Sequence, residues 1–180
     1  MEIKSLKILI VGCGQLGFSI VKNADPDIFK LYGFSRSLRK SPPSIEMHQV
    51  DILKTEAIDV IKLINPEIII YAVSADTQSI ESYQDHYVVG LKKTYEAILK
   101  LDHFKHLFFV SSTRVYGQKT TKILSELDIA EPSELCSTKW LCEGISDHLI
   151  GWAIFESDVI MFGNISHKKV SDVHVTCSLA

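Results

Sequence analysis

Gly12, Gly14 and Gly17 stand at G-x-G-x-x-G spacing around Cys13, Gln15 and Leu16. The run from Leu6 to Val11 before them is almost wholly apolar, as a strand covered on both faces would be. Residues 15–23 after them carry helical spacing, with Leu16, Ile20 and Val21 expected on one face. Between a strand and a helix each glycine has a physical task. Gly12 permits the tight turn, Gly14 lets the backbone close on a pyrophosphate, and Gly17 lets helix and strand pack. The helix N-terminus contributes N–H groups without intrahelical acceptors and a partial positive charge. The expected ligand is a dinucleotide held at Gly12, Gly14, Gln15, Leu16 and Gly17. The alternative is a turn whose glycines serve packing alone.

Which dinucleotide depends on the end of the second strand, where an acidic side chain would grip the ribose 2′-hydroxyl of NAD. No Asp or Glu occurs between Asp27 and Glu46; Ser35-Arg36-Ser37-Leu38-Arg39-Lys40 stands there instead. A guanidinium flanked by hydroxyls suits a 2′-phosphate, a dianion that planar donors grip well. Ser35 and Arg36 are therefore expected to select NADP, with NAD as second choice. A solvated basic loop is the competing reading.

These residues need a frame to hold them. Further apolar runs lie at 29–34, 45–50, 67–73, 106–111 and 158–162, and read as strands. Helical patterns lie at 55–64, 79–101 and 133–150; the second carries Ile80, Tyr83, Tyr87, Leu91, Tyr95 and Ile98 at helical spacing. Ser41-Pro42-Pro43-Ser44 forbids a helix between the second and third strands. This alternation predicts an α/β, Rossmann-like, doubly wound parallel sheet of about six strands, ordered 3-2-1-4-5-6. Residues 1–165 read as one dinucleotide-binding domain and residues 166–180 as a C-terminal tail.

Composition agrees with such a domain. Of 180 residues, 46% are hydrophobic and 23% charged, close to globular usage. A formal net charge of −3 argues against a nucleic-acid partner held by broad phosphate neutralisation. No apolar stretch approaches the roughly 20 residues that cross a bilayer, so no membrane partner is expected. The four cysteines include no Cys-x-x-Cys pair, consistent with reduced thiols in the cytoplasm. Cys13 reads as a small residue filling a tight turn. His103 and His106 lack a converging carboxylate or thiol set, so no metal site is expected.

From Lys7 to about Gly163 the chain resembles the NAD-dependent epimerase/dehydratase family, the extended or atypical branch of the short-chain dehydrogenases/reductases. The glycine turn matches its first motif. Val50-Asp51-Ile52 resembles the stretch that meets the adenine ring, and Tyr71-Ala72-Val73-Ser74 the fourth-strand end that lines the cofactor's ribose. Phe109-Val110-Ser111-Ser112-Thr113-Arg114-Val115-Tyr116-Gly117 looks like the fifth-strand signature. The resemblance implies cofactor contacts at Asp51, Ile52, Ala72, Val73, Ser74, Ser111 and Lys139, with Ser112 and Lys139 as the catalytic pair that remains. A serine–lysine hydrolase is disfavoured, because Ser112 lacks the Gly-x-Ser-x-Gly setting. A small carbonyl compound or a nucleotide sugar is the implied substrate. The helices at 79–101 and 133–150 are the implied homodimer faces.

Three departures qualify the resemblance. The family's Tyr-x-x-x-Lys pair meets Lys139 here, but Leu135 stands four residues before it. Leucine has no proton to give, and general acid–base help is worth roughly 10²–10⁴-fold. Tyr87 stands where extended members typically carry asparagine. The chain ends soon after the sixth strand, so it reads as a cofactor domain without its substrate half. A non-catalytic dinucleotide-binding regulatory module, or a truncated remnant, is the alternative function.

Overall fold

The computed structural model describes residues 5–37, 40–110, 153–155 and 158–163. Strand β1 (Leu6–Val11) leads into helix α1 (Gln15–Asn23), followed by β2 (Phe29–Ser35) and β3 (Ile45–Gln49). Then come α2 (Glu56–Ile64) and β4 (Ile68–Tyr71). A continuous helical stretch follows: α3 (Ile80–Tyr83), a π-helical segment (Gln84–Val89) and α4 (Gly90–Ile98). β5 (His106–Val110), β6 (Ala153–Phe155) and β7 (Asp158–Gly163) complete the described elements.

All strands join one sheet in the order β3-β2-β1-β4-β5-β7-β6. The first five are parallel and take the expected 3-2-1-4-5 order. The far edge differs from an all-parallel sheet, because β7 runs antiparallel to β5 and β6 antiparallel to β7. Only two residues separate β6 from β7, and a parallel pair needs a crossover of about a dozen or more. A hairpin is the arrangement that linker allows.

Alternation along β1 divides the core. Ile8 and Ile10 pack with Cys13, Val21, Leu31 and Ile45 on the α1 side. Leu9 and Val11 pack with Phe34, Ile61, Ile69, Leu91 and Ile98 on the side of α2 and α4. The α1 face differs from its sequence pattern: Gly17 and Val21 are buried, while Leu16 is 38% exposed. Helix α2 closes on Asn65 in the left-handed conformation (φ 49°), its N–H bonded to the Ile61 carbonyl at 2.9 Å. The β2–β3 connection contains no helix among the described residues, as its two prolines require.

The π-helical segment has a local cause. Tyr71 is fully buried at the end of β4, stacked against Phe109 with ring centroids 5.9 Å apart, and its hydroxyl must find an acceptor. The Gly90 N–H donates to the Asp85 carbonyl, five residues back. The His86 carbonyl thereby accepts the Tyr71 hydroxyl. Gly90 leaves no room for a side chain against that hydroxyl. The wider turn also shifts the helical phase. The buried positions are His86, Gly90, Leu91, Thr94, Ala97 and Ile98, while Ile80, expected inside, is 47% exposed.

Tyr71→Phe is expected to destabilise the fold by about 1–3 kcal/mol, because it leaves the buried His86 carbonyl without its donor. Urea denaturation at neutral pH measures this, and an unchanged midpoint would contradict the account. Burial, with Tyr87 and Asp51 adding to it, holds the Tyr71 phenol above its ordinary value. The unfolded chain therefore ionises first, and stability falls as pH rises past about 10. The Tyr71→Phe chain is expected to show a shallower alkaline decline.

Candidate functional site

The chain leaves β1 for β2 on one side and later returns to β4 on the other. The carboxyl ends of β1 and β4 therefore flank the point where strand order reverses, with Val11 in register with both Phe34 and Tyr71. A crevice forms at such a point because the loops on either side diverge. It encloses a cleft of about 370 Å³, within the range of roughly 300–1,000 Å³ usual for small-molecule sites.

Four loop segments line it. The first is the glycine turn. Gly12 has φ +84°, and a Cβ there would stand 2.8 Å from both the Ala72 carbonyl oxygen and the Val73 nitrogen. The turn is held by the Cys13 N–H on the Phe34 carbonyl (2.7 Å) and the Ala72 N–H on the Val11 carbonyl (2.8 Å). Gly14 is the N-cap of α1, and no side chain caps that helix. A Cβ on Gly14 would meet nothing nearer than the Gly12 oxygen at 4.0 Å. The first-turn N–H groups of α1 thus face a space open to a ligand, with no acidic residue nearby in that turn. Gly17 is a packing glycine, since a Cβ would lie 2.7 Å from Cys13 Sγ.

The second segment, Ser35 to Ser37, is the last residue of β2 and the two beyond it. Its backbone is fixed by the Val50 N–H on the Ser35 carbonyl (3.0 Å) and by Gln49 Nε2 on the Arg36 carbonyl (3.1 Å). Arg36 makes a two-pronged ion pair with Asp76. Hydrogen bonding to that carboxylate raises the Arg36 guanidinium above its ordinary value, and the same contact holds Asp76 below the usual carboxylate range. The third segment carries Val50, Asp51 and Ile52, closed into a turn by Asp51 Oδ1 accepting the Leu53 N–H at 3.0 Å. Lys93 Nζ, donating to the Leu53 carbonyl at 2.7 Å, ties this turn to α4. The fourth segment is Ala72, Val73 and Ser74 beyond β4, with His86 beside it.

A model of the NAD-dependent epimerase/dehydratase family matches residues 8–139, a span that takes in every lining segment of this cleft. The chain belongs to that family. It is similar to the UDP-glucose 4-epimerase of Mycoplasma pneumoniae, 26% identical over 138 residues that cover 69% of this chain and 41% of that protein. Among solved structures, the Bordetella bronchiseptica enzyme WbmG in complex with NAD superposes with a TM-score of 0.64 at 14% identity. That match covers 83% of this chain and 53% of WbmG. Uronate dehydrogenase from Agrobacterium tumefaciens gives a TM-score of 0.61 at 21% identity, over 79% of this chain and 54% of that one. These two likenesses concern the fold. The chain spans about half the length of both structures, and less than half that of the epimerase.

Of the residues expected from the sequence, the structure brings Gly12, Gly14, Gln15, Leu16, Ser35, Arg36, Asp51, Ile52, Ala72, Val73 and Ser74 to this one cleft of the epimerase/dehydratase fold. Gly17 sits behind it, packed on Cys13. Ser111, Ser112, Tyr116, Leu135 and Lys139 lie outside the described residues, as does the expected helix at 133–150. Two residues outside that set meet it: His86, which lines the cleft, and Asp76, which pairs with the lining Arg36. His86 is buried, with its Nδ1 2.8 Å from the Ser82 carbonyl and its Nε2 3.4 Å from Asp76 Oδ2. Asp76 reaches Arg36 from a different strand end, across 40 positions of sequence. No local signal marks either residue, since a one-residue shift in helical phase carries His86 inward.

Proposed function

We propose that this chain binds a nicotinamide dinucleotide in the β1/β4 crevice, with NADP preferred over NAD. The observation that carries the reading is the open cradle at Gly14, at an uncapped helix N-terminus, in the cleft that Arg36 also lines. Gly12, Gly14, Gln15 and Leu16 would hold the pyrophosphate on backbone N–H groups, with Gly17 keeping α1 tight against β1. Asp51 and Ile52 would border the adenine, and Ala72, Val73 and Ser74 the ribose toward the nicotinamide. Ser35 and Arg36 would receive a 2′-phosphate, for which a guanidinium fork is well shaped.

When bound, such a cofactor supplies reversible hydride exchange with a carbon bearing a hydroxyl or carbonyl group. Ser112 would orient that oxygen, and Lys139 and Ser111 would hold the nicotinamide ribose, by resemblance to the family's motif. A small carbonyl compound or nucleotide sugar is the substrate class that this lineage suggests, in a cytoplasmic setting. Among the described residues no helix is long and apolar enough to cross a membrane.

Leu135 favours a second reading, in which the chain binds the dinucleotide and regulates without turnover. Calorimetric titration of the full chain tests the first point. Micromolar affinity for NADPH with weaker affinity for NADH is expected. No heat with either, from a chain folded by circular dichroism, would overturn the dinucleotide reading. Leu135→Tyr then separates the two functions: a gained carbonyl reductase activity supports the enzyme, and unchanged inactivity supports the binding module.

A further inference from the structure

Arg36 already has a partner at the mouth of the cleft. Both of its terminal nitrogens contact the two oxygens of Asp76, and the side chains are 54% and 45% exposed. A ligand entering the cleft can therefore reach the pair. Asp76 takes the Nη1/Nη2 edge of the guanidinium, so a second anion seeking that edge must compete for it, and one using the Nε edge would lie beside the carboxylate.

Asp76 is also held in place from behind. Its backbone N–H donates to Ser82 Oγ at 3.0 Å, and the Thr77 N–H donates to the same oxygen at 3.3 Å. The Ser82 N–H in turn donates to Ser79 Oγ at 3.2 Å. His86 Nε2 stands 3.4 Å from Asp76 Oδ2, its ring fixed through Nδ1 to the Ser82 carbonyl. The carboxylate is thus presented to Arg36 by a braced loop.

We propose that Asp76 is a specificity-determining residue that tempers the preference for NADP. Its carboxylate takes the Arg36 fork that a 2′-phosphate would use, and it stands ready to accept a ribose 2′-hydroxyl instead. The β2 end lacks an acidic residue for that hydroxyl; Asp76 supplies one from the loop after β4. A 2′-phosphate must displace Asp76 and then lie beside its negative charge, whereas a neutral 2′-hydroxyl meets no such repulsion. The proposal rests on the dinucleotide reading and refines it.

The test is calorimetric titration of the full chain with NADPH and with NADH, for wild type, Asp76→Asn, Arg36→Ala and the double variant. Asp76→Asn is expected to raise the NADPH-to-NADH affinity ratio about tenfold. In the Arg36→Ala background the same substitution is expected to move the ratio less than about twofold, because the shared partner is gone. Asp76→Ala removes the charge without adding an amide and should shift the ratio in the same direction. A wild type that binds, with a ratio unmoved or lowered by both Asp76 substitutions, overturns the assignment and leaves the dinucleotide reading standing. A folded wild type that binds neither compound overturns both.

Discussion

Gly12→Ala is expected to destabilise the fold by roughly 2–5 kcal/mol, a large fraction of the 5–15 kcal/mol usual for a domain. Two costs add. At φ +84° an L-residue sits in the left-handed region, a penalty of about 1–2 kcal/mol. The new Cβ would also press on the Ala72 oxygen and the Val73 nitrogen, each 2.8 Å away. Those atoms are backbone at the end of a central strand, so they cannot swing aside as a flexible side chain would. Overpacking of this kind costs about 1–3 kcal/mol more. Urea denaturation followed by circular dichroism measures the sum. A loss below about 1 kcal/mol would show that the turn can relax in a way the strand pairing forbids.

Two residues along, the expected result inverts. Gly14→Ala is expected to leave stability within about 1 kcal/mol of wild type, since its Cβ meets nothing closer than 4.0 Å. Affinity for NADPH is expected to fall about a hundredfold, or about 2.7 kcal/mol. The added methyl would fill the space through which a pyrophosphate oxygen approaches the first N–H groups of α1. Charge-assisted bonds of that kind are worth about 1.5–3 kcal/mol each. Paired denaturation and titration of the same preparation decide the matter. Retained affinity in a stable Gly14→Ala chain would mean that the phosphates do not lie against this turn. The contrast between neighbours separates a glycine the fold requires from one the ligand requires.

Much of this architecture was legible because local rules and the global fold agree. The apolar run from Leu6 to Val11 is bounded by a turn, and both β1 and α1 lie where spacing puts them. The parallel order of the first five strands follows from alternation and handedness. The glycine turn and Arg36 face one cleft because both follow strands that end at the same level.

What stayed hidden depends on long-range geometry. The phase of the helix from Ile80 to Ile98 shifts at the π-helical segment, where the Tyr71 hydroxyl reaches the carbonyl of His86, 15 residues away in sequence. A stripe drawn at constant 3.6-residue spacing cannot anticipate it, and so His86 goes unseen. Asp76 lies in a polar loop whose composition resembles any solvated connection, and its role emerges only from the fold that sets it opposite Arg36. The antiparallel edge at β7 rests on strand pairing that periodicity leaves undirected.

The π-helical segment carries a mechanical consequence. His86 is fastened at two ends: its carbonyl takes the hydroxyl of an aromatic ring deep in the sheet, and its imidazole abuts the acid at the cleft rim. Ser82, one turn earlier, anchors the loop that bears that acid. Interior and rim are thereby linked through a few polar contacts. A carboxylate displaced at the mouth would therefore pull on a segment tied to the buried end of β4.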